Sequence, residues 1–122
     1  AAYDWHSADD NRQAAAELRA ATPVERYRAI IFVENTAVGY TIEEATPWGL
    51  RLYLGKVIYG IPWLAPHGGE ALCHALHNQG RALVVIDPDL GPKAIEPALA
   101  QCPGKVTELG TWRKDVLKLV EL

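Results

Sequence analysis

The sequence predicts a single α/β domain built on a mostly parallel sheet with helices on both faces. Two apolar runs, Ala29-Ile30-Ile31-Phe32-Val33 and Ala82-Leu83-Val84-Val85-Ile86, are continuous rather than alternating. Such runs mark strands buried on both faces of a parallel sheet. Segments of helical period lie between and after them, as the alternation of an α/β sandwich requires. At 122 residues, with 49% hydrophobic and 22% charged, the chain has the length and composition of one globular domain, residues 1–122.

The elements follow in order. Ser7-Ala8-Asp9-Asp10 opens an Ala-rich helix with acidic residues in its first turn and Arg19 near its end, the polarity a helix dipole favours. Thr22-Pro23 stops it, so residues 1–24 form an N-terminal helical extension. The first core strand spans Arg28 to Glu34. Residues 36–46 suit a short helix, and Pro47-Trp48-Gly49 a turn. Leu50-Arg51-Leu52-Tyr53-Leu54 alternates like an edge strand, with Gly55 at a bend. Lys56 to Gly60 is a second core strand, and Ile61 to Gly69 a loop.

Glu70 to Gln79 reads as a helix with Leu72, Cys73 and Leu76 at helical spacing, ended by Gly80. Strand 82–87 follows, then a helix from Pro92 to Gln101, with Pro97 kinking it or delaying its start. Pro103-Gly104 turns into a short strand, Lys105 to Leu109. Trp112 to Glu121 is expected to be a final amphipathic helix with Val116, Leu117 and Val120 on one side.

No stretch approaches the roughly 18 apolar residues of a membrane span. The formal charge of −3 speaks against a protein that coats polyanions, though not against one local basic groove. Cys73 and Cys102 are read as a reduced, buried pair. The Ala1-Ala2 start fits removal of an initiator Met as well as a signal-peptide cut. The expected compartment is the cytoplasm, with an exported mature chain as the other reading.

The chemistry points to the strand ends. In parallel sheets ligands bind off the carboxyl ends of the strands, where Glu34, Asp87 and Asp89 fall. Asp-x-Asp leaving a buried strand can share a hard divalent cation such as Mg²⁺, and Glu34 can serve as ligand or as general acid/base. Asp-Pro-Asp is also ordinary turn chemistry.

Val33-Glu34-Asn35, the apolar strand ending at Gly60, the helix after it and Val84-Val85-Ile86-Asp87-Pro88-Asp89 together resemble a Toprim domain. This Rossmann-like fold occurs in topoisomerases, bacterial primases, RNA-maturation nucleases and defence nucleases. The Glu-Asn pair is most similar to the type IIB topoisomerase and plasmid-defence branches, and the Asp-Pro-Asp to the maturation nucleases. The resemblance covers about residues 28–110. It implies that Glu34 exchanges a proton with the attacking or leaving sugar hydroxyl, while Asp87 and Asp89 hold Mg²⁺ against a phosphate. Gly91 comes one residue earlier than the family's glycine.

Other motifs have plainer readings. His67-Gly68-Gly69-Glu70 can expose backbone N–H groups to a phosphate, but no Lys-Ser/Thr follows, and a simple helix start is preferred. His67, Cys73, His74 and His77 suggest zinc only weakly, since Cys73 and His74 diverge on a helix. The only serine, Ser7, lacks a nucleophile elbow, and Tyr40, Tyr53 and Tyr59 read as core or edge aromatics.

Arg51 and Lys93 flank the acidic edge in sequence and are candidate phosphate contacts. Trp48 and Trp63 lie in Pro-containing loops, able to stack on a base or hold a protein partner. The expected function is Mg²⁺-dependent phosphodiester chemistry on nucleic acid by a nuclease module. The alternative is a non-catalytic, exported adaptor using Trp48 and Trp63. A receiver-like domain with Asp87 as phosphoacceptor ranks last, for want of an acidic pair on the first strand.

Overall fold

The computed structural model describes residues 8–37, 50, 53–91 and 93–122, with the side chains of 8–10 left aside. The expected helix over 36–46 and the turn at Pro47-Trp48-Gly49 lie outside the described residues almost entirely.

Helix α1 (Ala8–Ala21) leads to strand β1 (Ala29–Glu34). Strand β2 (Val57–Pro62), helix α2 (Gly68–Gln79) and strand β3 (Arg81–Ile86) follow, then a 3₁₀ turn (Pro88–Leu90) and the one-turn helix α3 (Glu96–Leu99). Strands β4 (Lys105–Trp112) and β5 (Asp115–Glu121) end the chain. The five strands form one sheet in the order β2-β1-β3-β5-β4. β1 runs parallel to both β2 and β3, whereas β5 is antiparallel to β3 and to β4. The sheet is therefore mixed: a parallel half carries an antiparallel hairpin.

β1 and β3 bury both faces, whereas β2, at the sheet edge, leaves Val57 exposed. Ile30, Phe32, Leu83 and Val85 join Leu117, Leu119, Trp112 and the α1 residues Ala14, Ala15 and Leu18 on one side. Ala29, Ile31, Val33, Ala82, Val84 and Ile86 meet Leu72, Ala75 and Leu76 of α2 and Ile95, Ala98 and Cys102 on the other. Helices thus cover both faces, and α1 contributes directly to the core. Arg113 Nε also donates to Glu17 Oε2, tying α1 to the turn between β4 and β5.

Four expectations are corrected. Residues 112–121 are not a helix: β5 is extended and lies between β3 and β4. Its Leu117, Lys118, Leu119 and Val120 are all buried, so both faces of the run are covered, as a strand inside a sheet requires. Leu50, Tyr53 and Leu54 are helical rather than an edge strand. Leu50 and Leu54, four residues apart, both bury in the α1-side core, which is the helical period.

The helix expected from Pro92 shrinks to α3, with Pro97 in its first turn. Pro97 delays the start, because a proline has no N–H to give an earlier turn. Cys73 and Cys102 form a disulfide, with Cα atoms 5.7 Å apart, rather than a reduced pair. The direction of the Cys73 side chain on α2 and the path of the chain just after α3, both invisible in sequence, decide this.

Candidate functional site

The site follows from strand order. From β1 the chain proceeds to β2 on one side, then returns past β1 to β3 on the other. The connection after β1 places Leu50 and Leu54 on the α1 face, and the segment after β3 places Ile95, Ala98 and Cys102 on the opposite face. Where successive connections part in this way, the carboxyl ends of β1 and β3 form the switch point at which α/β sheets commonly bind ligands.

Glu34 and Asp87 lie at that point. Val33 pairs with Ile86 in parallel register, and the Asp87 N–H donates to the Val33 carbonyl at 3.1 Å. Glu34 and Asp87 are the next neighbours across the two strands. A third carboxylate extends the row. Ile86 pairs with Val116 of β5, so Asp115, one step further, lies beside Asp87. The alternation that sends Phe32, Val85 and Leu117 to the α1 face sends Glu34, Asp87 and Asp115 there as well.

Asp115 was not among the sequence candidates. Reading 112–121 as a helix placed it on the wrong kind of element, and only an antiparallel β5 brings its first residue to the carboxyl end of β3. Asp115 is 2% exposed, and burial pushes its carboxyl up to about 7. Glu34 is half-buried, and burial likewise pushes its carboxyl up to about 7. Desolvation of the charged form is the cause in both. Both groups therefore exchange protons near neutral pH, where a general acid/base works best.

The Asp-Pro-Asp segment performs turn chemistry. Asp87 is buried and caps the 3₁₀ turn, its Oδ1 accepting the Asp89 N–H at 2.9 Å. Pro88 supplies the fixed φ of the first position. Gly91 closes the turn with φ +89, a value that disfavours any side chain. The early glycine thus reflects a one-turn 3₁₀ segment. Asp89 is exposed on that turn, and Lys93 is exposed just beyond it. Arg51 and Trp48 lie outside the described residues. Among the described residues, no group of three or more His, Cys, Asp or Glu is arranged to hold a metal ion.

Trp63 borders the same edge: its N–H donates to the Glu34 carbonyl at 2.9 Å. It also lines a groove of about 880 Å³ between α2 and α3, together with His67, Glu70, His74, His77 and Gln101. The two glycines at the start of α2 serve packing. A Cβ on Gly68 would approach the Trp63 carbonyl to 3.1 Å, and one on Gly69 would approach the Ala98 Cβ to 3.1 Å. Cys73 is committed to its disulfide and is no thiolate ligand for zinc. Among the described residues, no helix is long and apolar enough to cross a membrane.

In comparisons with known proteins, the chain matches no protein-family model, no curated protein and no solved structure.

Proposed function

We propose that the chain is a Toprim-like module performing Mg²⁺-dependent phosphodiester chemistry on nucleic acid, with Glu34 as its acid/base. The observation that carries this reading is the juxtaposition of Glu34 and Asp87 at the carboxyl ends of adjacent parallel strands. A protonated Glu34 donates to a leaving sugar oxygen, and an ionised one accepts from an attacking hydroxyl. Its carboxyl, held up to about 7, populates both forms at neutral pH.

Asp87 and Asp89 would hold Mg²⁺, which supplies charge neutralisation at the phosphate. Asp87 keeps one oxygen on its turn, and Asp89 reaches from solvent. Lys93 and Arg51 are the proposed phosphate contacts. The test is cleavage of single- and double-stranded DNA and RNA with and without Mg²⁺. Wild type is expected to cleave one of these only with the metal, and Glu34→Gln to lose at least about a hundredfold in rate. Metal-independent cleavage, or an unaffected Glu34→Gln, contradicts the reading.

The disulfide favours a second reading. Such bonds persist mainly in oxidising compartments, which suits an exported, non-catalytic adaptor better than a cytoplasmic nuclease. Trp63, on the groove wall, would then be the partner contact, with Trp48 as the second. This reading expects no response to Mg²⁺ and loss of partner binding in Trp63→Ala.

A further inference from the structure

The wall of the groove formed by residues 93–102 is held by little of its own structure. α3 is four residues long, too short for a helix to persist unaided. Ile95, Ala98 and Cys102 are its buried anchors on the sheet side, with Leu99 packed partly against them, while Ala94, Pro97, Ala98 and Gln101 face the groove. At its upstream end Gly91, at φ +89, has nothing within 4 Å of a notional Cβ. At its downstream end Gly104 is pressed against the Glu121 carbonyl, which a Cβ would approach to 2.5 Å. The downstream end is thus packed against β5, whereas the upstream end is held by local backbone bonds, Gly91 N–H to the Pro88 carbonyl and Ala94 N–H to the Gly91 carbonyl.

Across this segment the Cys73–Cys102 bond is the one covalent tie to α2, joining residues 29 apart in sequence. Its two ends differ in access. Cys102 is 1% exposed, whereas Cys73 is half-buried and lines the groove itself.

We propose that the Cys73–Cys102 disulfide is a thiol-reducible latch that holds the α3 wall of the groove closed. The reductant is a dithiol entering through the groove. Its thiolate attacks Cys73 Sγ, the S–S bond breaks, and Cys102 Sγ departs and takes up a proton. The second thiol then attacks the mixed disulfide, freeing Cys73, which is protonated, and closing the reagent's own disulfide. Two electrons and two protons pass to the protein. The sheet, α1 and α2 keep their packing, while residues 93–102, left with Ile95, Ala98 and Leu99 as apolar anchors and no covalent tie to α2, open the groove.

The test uses the intact chain with dithiothreitol in the absence of denaturant. Reduction is followed by thiol alkylation, and structure by amide hydrogen exchange. Reduction is expected to be proportional to reagent concentration and at least about tenfold faster than global unfolding. Exchange at residues 93–102 should rise at least about tenfold, with β1 and β3 still protected. The double variant Cys73→Ala/Cys102→Ala should reproduce that pattern without reagent. Reduction limited by global unfolding, loss of protection in β1 and β3, or unchanged exchange at 93–102 in the reduced chain overturns the proposal.

Discussion

The amide of Asp87 donates to the carbonyl of Val33 at 3.1 Å, carrying the β1–β3 ladder one bond past the end of β3. That bond makes Glu34 and Asp87 neighbours, although they lie far apart in the chain. Asp115 completes the row because β5 enters the sheet antiparallel, with its first residue at the carboxyl ends of β1 and β3. That edge therefore carries three carboxylates, of which Asp115 is 2% exposed.

This arrangement gives an unusual pH dependence of stability. Glu34 and Asp115 have folded pKa values raised to about 7, so between about pH 4 and 7 the folded chain holds protons that the unfolded chain has released. Stability falls wherever the native state binds more protons. It is therefore expected to be highest near the bottom of that window and to fall as pH rises through 7. Each group contributes on the order of 1–3 kcal/mol to the fall, Glu34 at the lower end because solvent still reaches it. Urea denaturation from pH 4 to 8 measures this, and Asp115→Asn should flatten the slope.

Asp87 has a capping role separable from any metal role. Asp87→Ala removes the acceptor for the Asp89 N–H and should cost about 1 kcal/mol, as loss of a side-chain cap does. Asp87→Asn keeps an acceptor oxygen and should stay within about 0.5 kcal/mol of wild type. Both variants are expected to lose the response to Mg²⁺. Denaturation and metal titration on the same samples separate the two roles.

The hairpin joining β4 to β5 offers a stabilising substitution. Trp112 pairs with Asp115, leaving Arg113 and Lys114 as a two-residue loop with φ of +49 and +72. Positive φ at both positions is the type I′ turn, which favours Asn and Gly. Lys114→Gly should raise stability by up to about 1 kcal/mol in thermal denaturation. Arg113 is best left in place, since it pairs with Glu17.

That turn also explains what the sequence left hidden. The buried parallel strands were legible because Ala29–Val33 and Ala82–Ile86 carry no polar residue, and Gly80 marked the end of α2. The hairpin was not, because Arg113-Lys114 carries no turn signature and Val116-Leu117-Lys118-Leu119-Val120 suits either period. Lys118 is an exception to the usual reading of a lysine as exposed: it is 4% exposed and reaches Glu108 at 3.0 Å. With β5 misread, Asp115 could not be placed at the site. Glu34 and Asp87 could, since both end recognisable strands. Whether Asp87 bound its own turn depended on φ and ψ at Pro88 to Gly91, which residue type leaves open.

The most direct test of the account is a Mg²⁺ titration of the folded chain, followed by amide chemical shifts at Glu34, Asp87 and Asp89, with Asp89→Asn alongside. Saturable shifts confined to the carboxyl ends of β1 and β3 are expected in wild type, and their loss in Asp89→Asn. No saturable response in wild type, or an identical response in Asp89→Asn, would contradict it.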